Sequence, residues 1–379
     1  MNTTNKNILL GIAVLFIVGA IWYIESSKPA EVTGTSIAVS PTSTTTPVAT
    51  DRAVILKQKA AHYSSAIELI PGGKFINTEP FKLKDVIGKK VILVDFWTYT
   101  CINCLRTLPY VEAWNAKYKD QGLVIIGVHS PEFGFEKDYN NVVDAVKRLG
   151  VTYPVMQDND HATWDAYQNQ YWPAEYLIDI DGYITDTHFG EGNYDQTEQK
   201  IQAALKERDQ VLGLPDTVPT GVVNPSNVAT VSDAEVQSPE TYFGAARNES
   251  LGNGTKDTVG TQELRAPSTI QENTLYLDGS WNFRNEYAEN TAAGAKIIYK
   301  YNSKNVYFVG TASNSVKITI LLDGKPISAE RGADVAADGT AVIQENRLYK
   351  LVEGSDYGDH TLEIIINSPG LQAYTFTFG

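Results

Sequence analysis

The rhythm of hydrophobic and polar positions changes four times along this chain. Residues 7–24 form an uncharged apolar run of 18 residues, the length of a bilayer-spanning helix. Residues 26–50 are rich in Ser, Thr and Pro. Between residues 51 and 206 short apolar runs alternate with segments of helical period. Val91 to Trp97 predicts a buried strand, residues 102–119 a helix, Leu123 to Val128 a second buried strand and residues 136–149 another helix. A hairpin follows, Glu175 to Ile180 and Ile184 to His188 around the turn Asp181-Gly182, and then a helix over residues 194–206. Such alternation predicts an α/β sheet with helices on both faces. After residue 241 the period drops to two: Val316, Ile318, Ile320 and Leu322 alternate with Lys317 and Thr319, and Tyr374, Phe376 and Phe378 with Thr375 and Thr377. Half-buried strands between Asn, Gly and Asp turns predict an all-β, jelly-roll-like sandwich.

These changes divide the chain into an N-terminal transmembrane anchor (1–25), a linker (26–50), an α/β domain (51–206), a second linker (207–240) and the β-sandwich (241–379). Trp22 and Tyr23 sit at the outer end of the apolar run, where amphipathic rings favour the lipid interface. A cleaved signal peptide would need small residues at that end. The N-terminal amine and Lys6 favour a cytoplasmic N-terminus, which places the remainder outside the cytoplasm. The first linker holds twelve Ser or Thr and three Pro, a composition that solvates and cannot bury a core. The second carries Pro215, Pro219, Pro225 and Pro239.

Composition narrows the function. The net charge of -14 over 379 residues offers no basic face for nucleic acid. The only two cysteines, Cys101 and Cys104, can build neither a disulfide scaffold nor a four-thiolate zinc site. Their setting is chemically pointed: Cys-Ile-Asn-Cys follows a buried strand and opens a helix. Amide N–H groups at a helix N-terminus stabilise a thiolate, so Cys101 is the expected nucleophile, with Cys104 one turn deeper as the resolving thiol. Ile102 and Asn103, between the sulfurs, tune the potential and border the substrate.

The segment VDFWTYTCINCLRTLP resembles the active-site segment of thioredoxins. That resemblance implies that Asp95, buried under the second cysteine, relays its proton, that Trp97 packs beside the pair and borders the substrate, and that Pro109 kinks the helix. It also implies that Trp172-Pro173 is the cis-proline loop whose neighbouring backbone pairs with substrate. The 72 residues from Cys101 to Pro173, with an extra helical insertion over residues 131–170, are similar to the membrane-associated TlpA and ResA type. Closer still is the resemblance of FWTYTCINCLRTLPYVEAW, GVHSPEFGFEK, YPVMQDND, TWDAYQNQYWPAEYLIDIDG and HFGEGNYDQTE to DipZ-like thioredoxins, whose C-terminal domain resembles residues 241–379. In larger members the unit is fused to a polytopic CcdA-like electron carrier. The single apolar run at 7–24 departs from that pattern and predicts a single-pass protein; with it, the resemblance implies a protein of a bacterial cell membrane that reduces exported proteins or partner thioredoxins through its dithiol, without another cofactor, and is fed by a separate CcdA/DsbD-like donor.

Other readings stay open beside it. A disulfide oxidase or isomerase would use the same fold, although the dipeptide lacks the histidine of strong oxidants. A peroxidatic Pro-x-x-x-Thr-x-x-Cys pattern would need proline where Val94 stands. His129, Glu132 and Glu136 could frame the substrate groove or simply open a solvated helix. In the sandwich, Trp281, Phe283, Tyr287, Tyr299, Tyr301 and Tyr307 could stack on a glycan or build a core. Glycan binding, client docking and a purely structural role remain alternatives for that domain.

Overall fold

The computed structural model describes residues 48–379 except 227, 229, 230 and 233. The expected membrane span and residues 26–47 of the tether lie outside the described residues. The last three tether positions open helix α1, Val48–His62. Among the described residues no helix is long and apolar enough to cross a membrane.

Residues Ala53–Gly379 form one compact unit. Its first part holds β1 (Phe75–Ile76), α2 (Leu83–Val86), β2 (Val91–Trp97), α3 (Ile102–Tyr118), β3 (Leu123–His129) and α4 (Tyr139–Leu149). Next come β4 (Val155–Gln157), α5 (Ala162–Ala166), β5 (Ala174–Ile178), β6 (Ile184–Phe189) and α6 (Tyr194–Leu212). The six strands form one sheet in the order β1-β4-β3-β2-β5-β6. β2, β3 and β4 are parallel, β5 runs antiparallel to β2, and β6 runs antiparallel to β5. All seven residues of β2 are buried, as expected for a central strand covered on both faces. The β2-α3-β3 and β3-α4-β4 crossovers step in the same direction, and right-handed connection then puts both helices on one face. There Leu108, Val111 and Trp114 of α3 and Val142 of α4 join Ile201 and Leu205 of α6 over Leu93, Ile125 and Leu177. The opposite face is covered by shorter pieces: Leu69, Leu83, Trp164 and Tyr167 over Ile92, Val94, Phe96 and Ile126.

Three expectations need correction. The segment 131–170 is not a helical insertion alone: it contributes β4, whose three residues are too few to show a period. Helix α4 starts at residue 139 because Asp138 caps it, accepting from the N–H groups of Asn140 and Asn141. Helix α6 runs six residues past 206, since its polar last turns are tied down by Lys59 to Glu207 and by Arg208 to the Lys89 carbonyl. It stops at Gly213, whose φ of 65° is left-handed.

The second part contains β7 (Thr241–Tyr242), β8 (Gly260–Leu264), β9 (Leu275–Phe283), β10 (Ala288–Asn290) and β11 (Ala295–Ala312). It continues with β12 (Val316–Leu322), β13 (Lys325–Pro326), β14 (Thr340–Ile343), β15 (Arg347–Ile366) and β16 (Leu371–Phe378). The layers of the expected sandwich are one hydrogen-bonded, antiparallel sheet. β11 and β15 pair along nearly their whole lengths with two register shifts, and β11 bonds β9 through its first half and β16 through its second. Bulges let such long strands bend around a core. Trp281, Phe283, Tyr299 and Tyr301 are buried inside it and Tyr307 in the contact between the two parts. The proposed sugar-stacking residues are therefore not a platform. Tyr287 is half-buried against Tyr374, ring centroids 5.0 Å apart.

Strict alternation would put Tyr374, Phe376 and Phe378 on one face. A register shift at Val309/Gly310 leaves Tyr374 out of the pairing with β11, so Tyr374 points outward while Ala373, Phe376 and Phe378 point into the core. The outward face is not solvated either. Tyr307, Val309, Leu348 and Tyr374 pack against Ile102 and Phe133 of the first part.

Candidate active site

β2 ends at Trp97, and the turn Thr98-Tyr99-Thr100 delivers Cys101 to the N-cap of α3, where its Sγ accepts the Cys104 N–H at 3.3 Å. This bond occupies one of the donors that every helix N-terminus leaves unpaired. The two thiols are free and unlike: Cys101 is half-buried and Cys104 buried. The Trp172–Pro173 peptide is cis, and the Cys101 thiol points to the Trp172 carbonyl at 3.9 Å. Burial, followed by the hydrogen bond and charge of Cys101, raises the Cys104 pKa well above an ordinary thiol's.

Asp95 lies beneath the pair, 1% exposed. Its Oδ2 accepts from the Tyr153 hydroxyl at 3.4 Å and its Oδ1 has no hydrogen-bond partner. Burial pushes its pKa up to about 7, against the lowering by Tyr153. Gly127, its cross-strand neighbour on β3, has to be glycine: a Cβ there would stand 2.7 Å from the Trp97 Nε1 and 2.9 Å from the Tyr153 ring. Trp97, expected on the substrate side, is itself buried in the core beneath the dithiol and supplies packing rather than a contact surface. Pro109 lies within α3, as the sequence requires.

The floor of a cavity of about 280 Å³ is made by Cys101, Ile102, Asn103 and Trp172. Its other wall comes from the C-terminal part: Ser238, Glu240, Tyr242, Arg247, Thr377 and Phe378. Ile102 has a double position, lining the cavity while its side chain packs against Tyr307 and Tyr374. Asn103 is held by Arg106, which also grips Glu191 through two hydrogen bonds of 2.7 and 2.6 Å.

The trio His129, Glu132 and Glu136 divides into three roles. Glu136 is fully buried; its Oε1 accepts from Thr98 and Thr100, both at 2.6 Å, and its Oε2 from the N–H groups of Glu132 and Phe133. It staples the turn before Cys101 to the loop after β3. His129 stacks on Tyr99, and burial lowers its pKa to about 3, so it is neutral. Glu132 reaches across to the C-terminal part, accepting from Tyr242 at 2.8 Å and Arg247 at 2.9 Å. Sequence reasoning missed Glu132, Tyr242 and Arg247 as one cluster because Glu132 lies more than 100 positions before the other two. It also missed Glu175, hidden in an ordinary strand; an acid within an apolar run was the available signal. Among the described residues no group of three or more His, Cys, Asp or Glu could hold a metal ion.

A mixed sheet presenting a Cys-x-x-Cys at a helix N-terminus, opposite a cis-proline loop and over a buried aspartate, defines a thioredoxin-fold redox domain. The comparisons agree. A family model described as Redoxin matches residues 72–205, and one described as Thioredoxin like C-terminal domain matches residues 238–379. Protein DipZ of Mycobacterium tuberculosis (strain CDC 1551 / Oshkosh) is 36% identical over 309 residues, which is 82% of this chain. The chain spans 41% of the length of that relative. Thiol-disulfide oxidoreductase YkuV of Bacillus subtilis (strain 168) is 30% identical over 126 residues, 33% of this chain and 84% of YkuV. The crystal structure of a putative thiol:disulfide interchange protein DsbE from Chlorobium tepidum is 26% identical, covering 38% of this chain and 96% of that one with a TM-score of 0.34. The chain belongs to the DipZ/TlpA-like family of thioredoxin-type thiol-disulfide oxidoreductases.

Proposed function

We propose that this protein is a disulfide reductase acting outside the cytoplasm on exported proteins or partner thioredoxins. The observation that carries the reading is the asymmetry of the dithiol: a half-exposed Cys101 at the helix N-terminus on the floor of a cavity, with Cys104 buried behind it. The Cys101 thiolate attacks one sulfur of a substrate disulfide; the S–S bond breaks and the other substrate sulfur leaves as a thiolate. Cys104 then loses its proton to Asp95 and attacks the Cys101 sulfur, releasing the second substrate thiolate. Two electrons have moved to substrate and a Cys101–Cys104 disulfide remains. Trp172 and Asn103 border the incoming chain, and Pro173 shapes the loop facing it. No cofactor beyond the dithiol is needed, and a CcdA/DsbD-like membrane carrier would return the electrons. An anchor at residues 1–25 would keep the protein beside that donor at a bacterial cell membrane.

The direction is tested by titrating the Cys101/Cys104 couple against glutathione or dithiothreitol. A potential of about -270 mV is expected of a reductant, whereas about -120 mV would make the protein an oxidant and overturn the direction. Cys101→Ser should abolish disulfide reduction altogether.

A further inference from the structure

The resolving step leaves a proton on Asp95, and Asp95 has no contact with solvent. A row of titratable side chains crosses the sheet at its level. Asp95 on β2 lies directly opposite Glu175 on β5, and Glu175 directly opposite His188 on the edge strand β6. Residues paired in this way project from the same face of a sheet. Glu175 is 3% exposed, and neither of its carboxylate oxygens has a hydrogen-bond partner. The Nε2 of His188 is likewise buried and unpartnered, while the residue as a whole is half-buried at the rim. Three polar groups in one line, each with an unused hydrogen-bonding atom inside the protein, are unusual where buried polar atoms are normally paired. Burial, and after it the charge of Asp95, raises the Glu175 pKa well above an ordinary carboxylate's. The other titratable groups facing the row are Cys104 from α3, Tyr153 from the segment before β4, and Asp186 of β6, which pairs with Lys200 of α6 at 2.6 Å.

We propose that Asp95, Glu175 and His188 form a proton path along which the proton shed by Cys104 crosses the sheet to solvent. The inference rests on the thiol-disulfide exchange proposed above and adds two residues to it. Cys104 gives its proton to the Asp95 carboxylate as its sulfur attacks Cys101. Asp95 and Glu175 are too close for both to ionise easily, so the pair holds one proton and passes the extra one on. The His188 imidazole takes it and releases it to water at the sheet edge. The carboxyl pair and the imidazole return to their starting protonation, while Cys104 has given up its proton to solvent and is bonded to Cys101. Glu175 and His188 touch neither sulfur; they act through Asp95 as positioning residues for its proton.

The test follows resolution directly. The chain is reacted with a chromophoric aryl disulfide to place an arylthiol on Cys101, and release of the second arylthiolate is timed by stopped flow from pH 5.5 to 9. Glu175→Gln keeps the shape of the side chain and removes its proton; His188→Ala sits at the edge, where folding is least at stake. Each should slow release roughly tenfold below pH 7, a fraction of what a general acid–base contributes, and imidazole buffer should restore the His188→Ala rate. In an Asp95→Asn background neither substitution should slow release further. Wild-type release with profiles coincident with those of both variants, or effects that simply multiply with Asp95→Asn, would overturn the path and leave the exchange chemistry standing. A wild-type chain that never releases the second arylthiolate would overturn both.

Discussion

Asp95→Asn should make the protein more stable, and only above mildly acidic pH. In the folded chain burial holds the Asp95 carboxyl at about 7, against an ordinary aspartate value of 3.8. An acid whose folded pKa is raised favours folding in its protonated form. Its contribution is therefore fully present below pH 3.8 and is lost as the pH rises towards 7, because the unfolded chain releases a proton that the folded one keeps. At about 1.36 kcal/mol per pH unit, the gap of about three units corresponds to a loss of about 4 kcal/mol by pH 7.5. Asparagine keeps the size of the side chain and the acceptor for the Tyr153 hydroxyl, and carries no charge. Urea unfolding of wild type and variant, followed by tryptophan fluorescence, should give curves that differ at pH 4 by less than about 1 kcal/mol. The variant's advantage should grow to a few kcal/mol at pH 8. The same variant should resolve mixed disulfides slowly, a gain of stability at the expense of chemistry. A stability difference that is the same at pH 4 and pH 8, or a variant that is less stable at pH 8, would mean that Asp95 is solvated and the relay argument fails.

Three further outcomes are expected. Cys104→Ser should accumulate Cys101 mixed disulfides that survive non-reducing electrophoresis, because the deep thiol that releases them is gone; rapid release would refute the division of labour between the cysteines. Glu136→Ala leaves the hydroxyls of Thr98 and Thr100 and two backbone N–H groups without their acceptor, so it should cost about 3 kcal/mol in chemical denaturation. Tyr374→Ala removes the ring that meets Phe133 at 5.0 Å and Phe135 at 4.8 Å. It should destabilise the chain by about 3 to 5 kcal/mol and speed alkylation of Cys101 by a polymer-bearing maleimide more than by iodoacetamide, since Tyr374 packs in one cluster with Ile102 and Tyr242, which line the cavity, and loosening them helps the larger reagent. Equal acceleration of both reagents would place the effect elsewhere.

Where the fold could be read early, the reason was local. The buried runs Val91 to Trp97 and Leu123 to Val128 are strands at those positions, because a short, mainly apolar run fits a strand covered on both faces, and the single acid Asp95 does not break the first of them. The Cys-Ile-Asn-Cys helix start follows directly from such a strand ending at Trp97. Less was legible in the C-terminal part. The period of two gave strands, but the shift that turns Tyr374 outward depends on its pairing with β11, which lies more than 60 positions away.

By itself, the sequence determined a reactive cysteine pair at a helix N-terminus, an α/β unit around it and a β-rich unit after it, since each depends on neighbours within one turn or one strand. Only the tertiary structure decided that the second unit walls the cavity over Cys101, that Glu132 meets Tyr242 and Arg247, and that Asp95, Glu175 and His188 stand in one row. Strand order, register and domain packing make those contacts, and none of them leaves a period in the chain.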